Sequence, residues 1–305
     1  MTYKKYLTAT LIALSLLGCT DSADEPQSEP TQTAISFGHS IEAAAEANGT
    51  SRAAVTEKED IKAFRAYALM FEHGTFIDFL FSDEKVVPAR ADNTWVTEHL
   101  YYWPDKSKGL GFVAYSPEKV EGLTFVTPVS NVHNPQFTYE PPADPARQVD
   151  LLFAKTNLYE HINYGSEPGR KVPLTFYHRL IQVYFEVNGD ARRVASITLK
   201  NVFRRGTFNF IGDPWWDVDR EGADSKTSYT ITVPADGVLG DDQRLMIIPQ
   251  VTPHDCTLEI SFRDGTPARS IPFSFRFDTM HKGGKVYRIV INLENSAAED
   301  VGESS

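Results

Sequence analysis

The sequence predicts an all-β protein built as two tandem β-sandwich domains. Three observations carry that expectation. Apolar and polar residues alternate over short runs, as in Ile271, Phe273, Phe275 and Phe277, or Tyr287, Ile289, Ile291 and Leu293; period-two apolarity sets one face of a strand on a core and the other toward water. Turn clusters such as Arg263-Asp264-Gly265-Thr266 and Lys282-Gly283-Gly284 separate these runs at the close spacing of sandwich strands. Between the halves lies Asn134–Arg147, with prolines at 135, 141, 142 and 145, which reads as a linker joining domains over 32–147 and 148–295.

The N-terminus reads as an export signal. Lys4 and Lys5 precede an apolar run from Tyr6 to Leu17, closed by Gly18 and Cys19. That run is too short to cross the ~30 Å hydrocarbon core of a bilayer as a helix. Leu16-Leu17-Gly18-Cys19 resembles the lipobox of bacterial lipoproteins. The resemblance implies removal of residues 1–18 and lipidation of Cys19, with several acyl chains, because one chain binds only marginally and two or more anchor stably. Residues 19–31 read as a flexible acidic tether: the stretch TDSADEPQSEPTQTA after Cys19 has no aromatic and no basic residue, so it buries too little apolar area to offset its ordering entropy. Acids just after a lipidated cysteine also resemble surface-export signals of some Gram-negative outer-membrane lipoproteins.

Strands follow in order. Ile41–Ala47 is the one helix-prone stretch, short and alanine-rich. Ala63–Glu72, Phe76–Phe81, Trp95–Tyr102 and Leu110–Tyr115 read as strands of the first half. The run Val172–Val187 begins with Val172, Leu174 and Phe176 in one phase and ends with Ile181, Val183, Phe185 and Val187 in the other, which requires a bulge or bend near Leu180. Tyr229, Ile231 and Val233, then Leu258, Ile260 and Phe262, continue the alternation. Residues 296–305 read as a disordered polar tail.

Charge and motif content narrow the function. The formal net charge is −11, and loss of a leader carrying two lysines and no acid makes it −13. An acidic surface disfavours nucleic acid as a partner, which rewards Lys and Arg. With Cys19 lipidated, Cys256 stands alone and no internal disulfide forms. Catalytic signatures are missing: Gly165-Ser166-Glu167-Pro168-Gly169 has the wrong spacing for a nucleophile elbow, and Cys256 follows His254 and Asp255 as a strand neighbour rather than a facing partner. The reading is therefore not an enzyme, with no cofactor beyond the lipid on Cys19. Asp217, Asp219 and Glu221 ahead of Gly222 resemble the first half of a calcium loop, but its twelfth position is Ser228; a solvated acidic loop is the simpler account. Trp215 and Trp216 read as an adjacent aromatic pair in a loop, with a structural plug the simpler account; an exposed ring would stack on a sugar, and in a strand the two would point to opposite faces, so at most one would be core. His178, in phase with Leu174 and Phe176, reads as a hydrogen-bonded core histidine.

Several segments together resemble the fimbrillin family, Mfa-like type V pilus lipoproteins. They are Tyr101-Tyr102-Trp103-Pro104 with Leu110–Pro117, Asp150–Ala154, Val172–Leu180, Ile197-Thr198-Leu199 with Gly206-Thr207, Ile247–Gln250, and Gly284-Lys285-Val286-Tyr287. Where the family often has Trp before the last of these, this chain has Met280-His281. The resemblance implies two transthyretin-like sandwich domains on a surface-exposed outer-membrane lipoprotein: a pilus subunit, tip or anchor, or a stand-alone adhesin. A surface glycan-binding lipoprotein is the alternative. The resemblance also implies cleavage by a secreted protease after an arginine, matched here by Arg52 before Ala53, which releases the first strand and opens a groove for a neighbouring pilin's strand; a plain exposed loop arginine is the simpler reading, since members that do not polymerise also carry an arginine there. The partners implied are the outer membrane, other pilins, and a host or glycan receptor. The last apolar segment, Val286–Leu293, reads as a strand of the second domain rather than a donor, which points to a tip, anchor or stand-alone role.

Overall fold

A computed structural model describes residues 32–42, 60–90, 92–126, 135–210, 214–277, 284–294 and 298–300. Of its two compact units, Met1–Gln32 and Thr33–Ser305, the second holds every described strand. These are β1 (Phe37–Ile41), β2 (Phe64–Glu72), β3 (Thr75–Arg90), β4 (Thr94–Thr97), β5 (Lys108–Ser116), β6 (Leu123–Val126), β7 (Gln136–Tyr139), β8 (Leu152–Lys155), β9 (Val172–His178) and β10 (Ile181–Asn188). They continue with β11 (Val194–Phe203), β12 (Gly206–Asn209), β13 (Trp215–Val218), β14 (Lys226–Thr232), β15 (Arg244–Ile247), β16 (Gln250–Val251), β17 (Thr257–Phe262), β18 (Arg269–Pro272), β19 (Arg276–Phe277), β20 (Val286–Asn292) and β21 (Ala298–Asp300). No α-helix occurs among the described residues, and the all-β expectation holds.

β1, β4, β3, β2, β5, β8 and β9 pair in that order and close into a ring. The β2–β3 hairpin turns on His73 (φ 50°) and Gly74 (φ 80°), with Glu72 opposite Thr75. Two consecutive positive φ values are what a two-residue type I′ turn needs, and Gly74 supplies one of them without a Cβ clash. β8 and β9 lie beyond residue 147 yet complete this ring, so its hydrogen bonding runs on to His178.

Five expectations change. The proline-rich linker contains a strand, β7, whose Phe137 and Tyr139 are fully buried. Gln-Phe-Thr-Tyr alternates, and four residues suffice to bury two rings, while the prolines sit outside the strand. Ile41 ends β1 rather than starting a helix, because pairing with β9 captures it; residues 43–47 lie outside the described residues. Trp95–Tyr102 narrows to β4 plus an isolated bridge from Tyr102 to Ala34, and Ile271–Phe277 splits between β18 and β19. Residues 298–300 of the polar tail pair with β20 as β21, since ladder bonding needs backbone groups and not apolar side chains.

Three cores follow from the alternation. Phe64, Ala66 and Ala68 of β2 fill the ring with Phe112, Ala114, Leu174 and Phe176. The other face of the same strands presents Tyr67, Leu69, Phe71, Val113 and Phe153 to a middle core. Covering that face is the sheet β13-β12-β7-β6, which contributes Phe137, Tyr139 and Phe208. β2 and β5 are buried on both sides, which explains their nearly continuous apolar sequence. The third core lies among β15-β10-β20-β21 and β14-β11-β17-β18, with Val183, Ile197, Leu199, Leu258 and Ile289 at 0–1% exposure. The phase break expected near Leu180 is where the chain leaves β9, in the ring, for β10, in the third core's sheet; Leu180 itself enters the middle core.

Candidate functional site

Two surfaces carry the functional question. The first is the seat of β1. Phe37–Ile41 runs parallel to Val172–Phe176 of β9, whereas Phe37 opposite Trp95 is its single register pair with β4. Alternation sends Ile35, Phe37 and His39 inward, all nearly fully buried. The Phe37 ring meets Phe112 edge-on at 5.4 Å, and His39 meets Trp95 at 4.5 Å. The backbone amides of Val172 and Glu42 donate to Ser36 and Phe176 carbonyls at 2.8 and 2.9 Å. β1 thus fills a slot lined by aromatic rings and held by ladder bonds. Arg52 and Ala53, downstream of it, lie outside the described residues, as does Cys19.

The second surface is the outer face of β13-β12-β7-β6. Register aligns Trp215, Asn209, Gln136 and Val126 in one row and Asp217, Thr207, Thr138 and Thr124 in the next. Between these rows, Trp216, Phe208, Phe137 and Phe125 point the other way and pack with the middle core. Trp215 is 37% exposed on the edge strand. Trp216 donates from Nε1 to the Arg179 carbonyl at 2.7 Å and stacks near Phe208 at 5.1 Å. The tryptophan pair therefore lies in a strand rather than the expected loop, because pairing with β12 captures it, and its rings divide one in and one out.

The sequence profile of the fimbrillin-like family matches residues 51–304. The chain belongs to that family. Solved structures similar to this fimbrillin-like chain share its fold. A fimbrial protein from Bacteroides vulgatus is 18% identical with a TM-score of 0.57, over 87% of this chain and 98% of that one. Proteins named for cell adhesion from Bacteroides ovatus (16%, TM-score 0.55, 90% and 96% covered) and Bacteroides uniformis (17%, 0.52, 89% and 97%) are similar to the same extent. No curated protein matches.

In this fimbrillin-like protein the calcium-loop candidates are dispersed. Asp217 lies in β13, while Asp219 is bound by Arg205 at 2.5 Å, which holds its carboxyl below the usual range. Among the described residues, no three His, Cys, Asp or Glu side chains group closely enough to hold a metal ion. A cleft of about 640 Å³ opens beside Asp217, Thr207 and Thr138, rimmed by Arg205, Asp219 and Glu221. Cys256 is 1% exposed in the third core, and burial pushes its thiol up to about 12, far from a nucleophile's range. Sequence reasoning found the tryptophans but missed Asn209, Gln136, Thr207 and Thr138. Their only local signal is the polar half of two four-residue alternations.

Proposed function

We propose that this chain is a lipid-anchored, surface-exposed fimbrial component, a tip, anchor or minor subunit of a type V pilus or a stand-alone adhesin, with a structural rather than enzymatic role. The observation that carries the reading is the seat of β1. An N-terminal strand inserted between β4 and β9 by alternate aromatic knobs is a segment whose removal opens an acceptor groove, and Phe37 and His39 mark the pockets an incoming strand would fill. Arg52, in the connection that follows, is the site at which a cut would free it. Lipid on Cys19, behind a leader ending at residue 18 and a tether over 19–31, would hold the uncut chain at the outer membrane. The partners are that membrane and other pilins joined by strand addition.

The test is fractionation of native cells. Cys19→Ser should abolish lipid labelling and move the protein out of the membrane fraction, and the unmodified chain should co-purify with sheared fimbriae or sit at the cell surface. Retention of the variant in the membrane would refute the anchor, and an intracellular protein would refute the whole reading. One observation favours a second reading, a surface glycan-binding lipoprotein: the outward Trp215 on a polar sheet face.

A further inference from the structure

We infer that the outer face of the β13-β12-β7-β6 sheet is a binding platform for a neutral saccharide chain, with Trp215 stacking on one pyranose ring and the adjoining cleft hydrogen-bonding the next. The inference rests on the adhesin half of the proposed function and names the ligand class of that role.

The geometry is fixed from beneath. Trp216 is locked in the middle core by its bond to the Arg179 carbonyl and its contact with Phe208. Neighbouring side chains on a strand take opposite faces, so anchoring Trp216 holds Trp215 outward. An indole 37% exposed on an edge strand offers a flat apolar face for the C–H side of a sugar ring, with geometry already set and little entropy left to lose. Beside it in register stand Asn209 and Gln136; Gln136 donates to the buried Asn209 amide oxygen, and this bond braces the row beneath the indole.

Two residues along each strand, about 6.6 Å at the usual rise, lies the second row. Asp217 is exposed, and Thr138 and Thr207 have their hydroxyl oxygens 3.4 Å apart. This row lines the cleft of about 640 Å³ whose rim carries Arg205, Asp219 and Glu221. With Asp219 and Arg205 paired to each other, the Thr138 and Thr207 hydroxyls, the Asp217 and Glu221 carboxylates and the Arg220 guanidinium around one hollow suit polyol recognition, since vicinal hydroxyls both donate to carboxylates and accept from guanidinium. Three carboxylates (Asp217, Asp219, Glu221) against two guanidiniums (Arg205, Arg220) leave the lining net negative, which disfavours a phosphate or uronate because like charges placed close together repel. A neutral chain is therefore the occupant, and an anionic polysaccharide is not.

The experiment titrates the full chain, purified in detergent, with cellohexaose, maltohexaose, mannohexaose, xylohexaose, chitohexaose and polygalacturonate, read by tryptophan fluorescence and calorimetry. At least one neutral oligosaccharide should bind. Trp215→Ala should weaken it about tenfold or more, Thr207→Val should weaken it several-fold, and Leu100→Ala, at an exposed site off this sheet, should leave it unchanged. Absence of neutral binding up to about 10 mM, below which even weak specific sites register, would overturn the inference. So would binding of polygalacturonate alone, or a Trp215→Ala affinity within twofold of the parent. Fimbrial incorporation of Trp215→Ala separates this from the assembly role. Normal incorporation with lost sugar binding supports a dedicated platform; lost incorporation with sugar binding intact makes the face a subunit interface and overturns it. Sugar binding by a chain that never enters fimbriae would refute the pilus role and leave the platform standing.

Discussion

His178 Nδ1 lies 2.9 Å from Asp150 Oδ2, with both side chains 4% exposed. Asp150 precedes β8 and His178 ends β9, where Leu152 pairs with His178. The next residues are tied as well: the Arg179 carbonyl accepts from Trp216 Nε1, and the Leu180 carbonyl accepts from the Gly284 amide at 2.8 Å. Gly284, at φ 71°, comes so close that a Cβ there would sit 3.0 Å from His178 Cβ. The crossing from the ring to the third core is thus held at three successive residues.

Removing one partner of this buried pair should cost more than an exposed ion pair would. His178→Ala leaves the buried Asp150 without the imidazole and should destabilise the fold by about 2–4 kcal/mol. Asp150→Asn, which preserves the shape and a hydrogen bond, should cost clearly less. Chemical denaturation of both variants and of the double mutant would measure the coupling; a coupling near zero would show that the contact contributes no specific energy.

Phe176→Ala should cost about 3–5 kcal/mol, through lost burial and the cavity left in the ring, because Phe176 packs against Phe64 at 5.2 Å with no exposure. Trp215→Ala should stay within about 0.5 kcal/mol, as substitutions of exposed residues usually do. Equal shifts in the denaturation midpoints of the two variants would mean that inward and outward faces had been misassigned.

Cys256 predicts a pH dependence of known sign. Its thiol is pushed up to about 12 by burial, against an ordinary value of about 8.5. A raised folded-state pKa contributes stability that is fully present below the unfolded value and is lost as pH rises toward the folded one. From roughly pH 8.5 to 12 the intact chain should therefore lose stability relative to Cys256→Ala. Denaturation curves across that range give the comparison, and a difference constant with pH would contradict the buried thiol. Alkylation by iodoacetamide at pH 8 should be slow until the chain is unfolded.

The C-terminal strand predicts how the chain assembles. β20 runs between β10 and β21, and its Tyr287, Ile289 and Ile291 are buried in the third core. Donating it to a neighbour would forfeit that burial, so the chain should accept a strand without passing one on. Treatment with an Arg-specific protease should therefore yield no detergent-resistant homopolymer ladder. A ladder that disappears in Arg52→Ala would show that β20 is itself the donor.

Much of the fold was legible in the sequence because alternation is local. The inward residues of β20, the phase break at Leu180, the core position of His178 and the opposed tryptophans all follow from whether residues two apart share a face. Family order along the chain was legible too, since the segments from Tyr101 to Tyr287 keep their sequence. β7 was not, because its four residues are flanked by prolines and its signal is the shortest the pattern allows.

What the sequence determined by itself was the all-β class, the strands with long alternation and the family. What only the tertiary structure decided was which strands meet. β7 joins β12 across about seventy residues of chain, and this pairing sets Thr138 beside Thr207 and Gln136 beside Asn209. Asp219, which the local spacing offered to calcium, goes to Arg205 from the neighbouring turn. Periodicity states which side of a strand is apolar and carries no information about the partner beside it. That choice is made when whole faces compete to cover one another, and it depends on residues far apart in sequence.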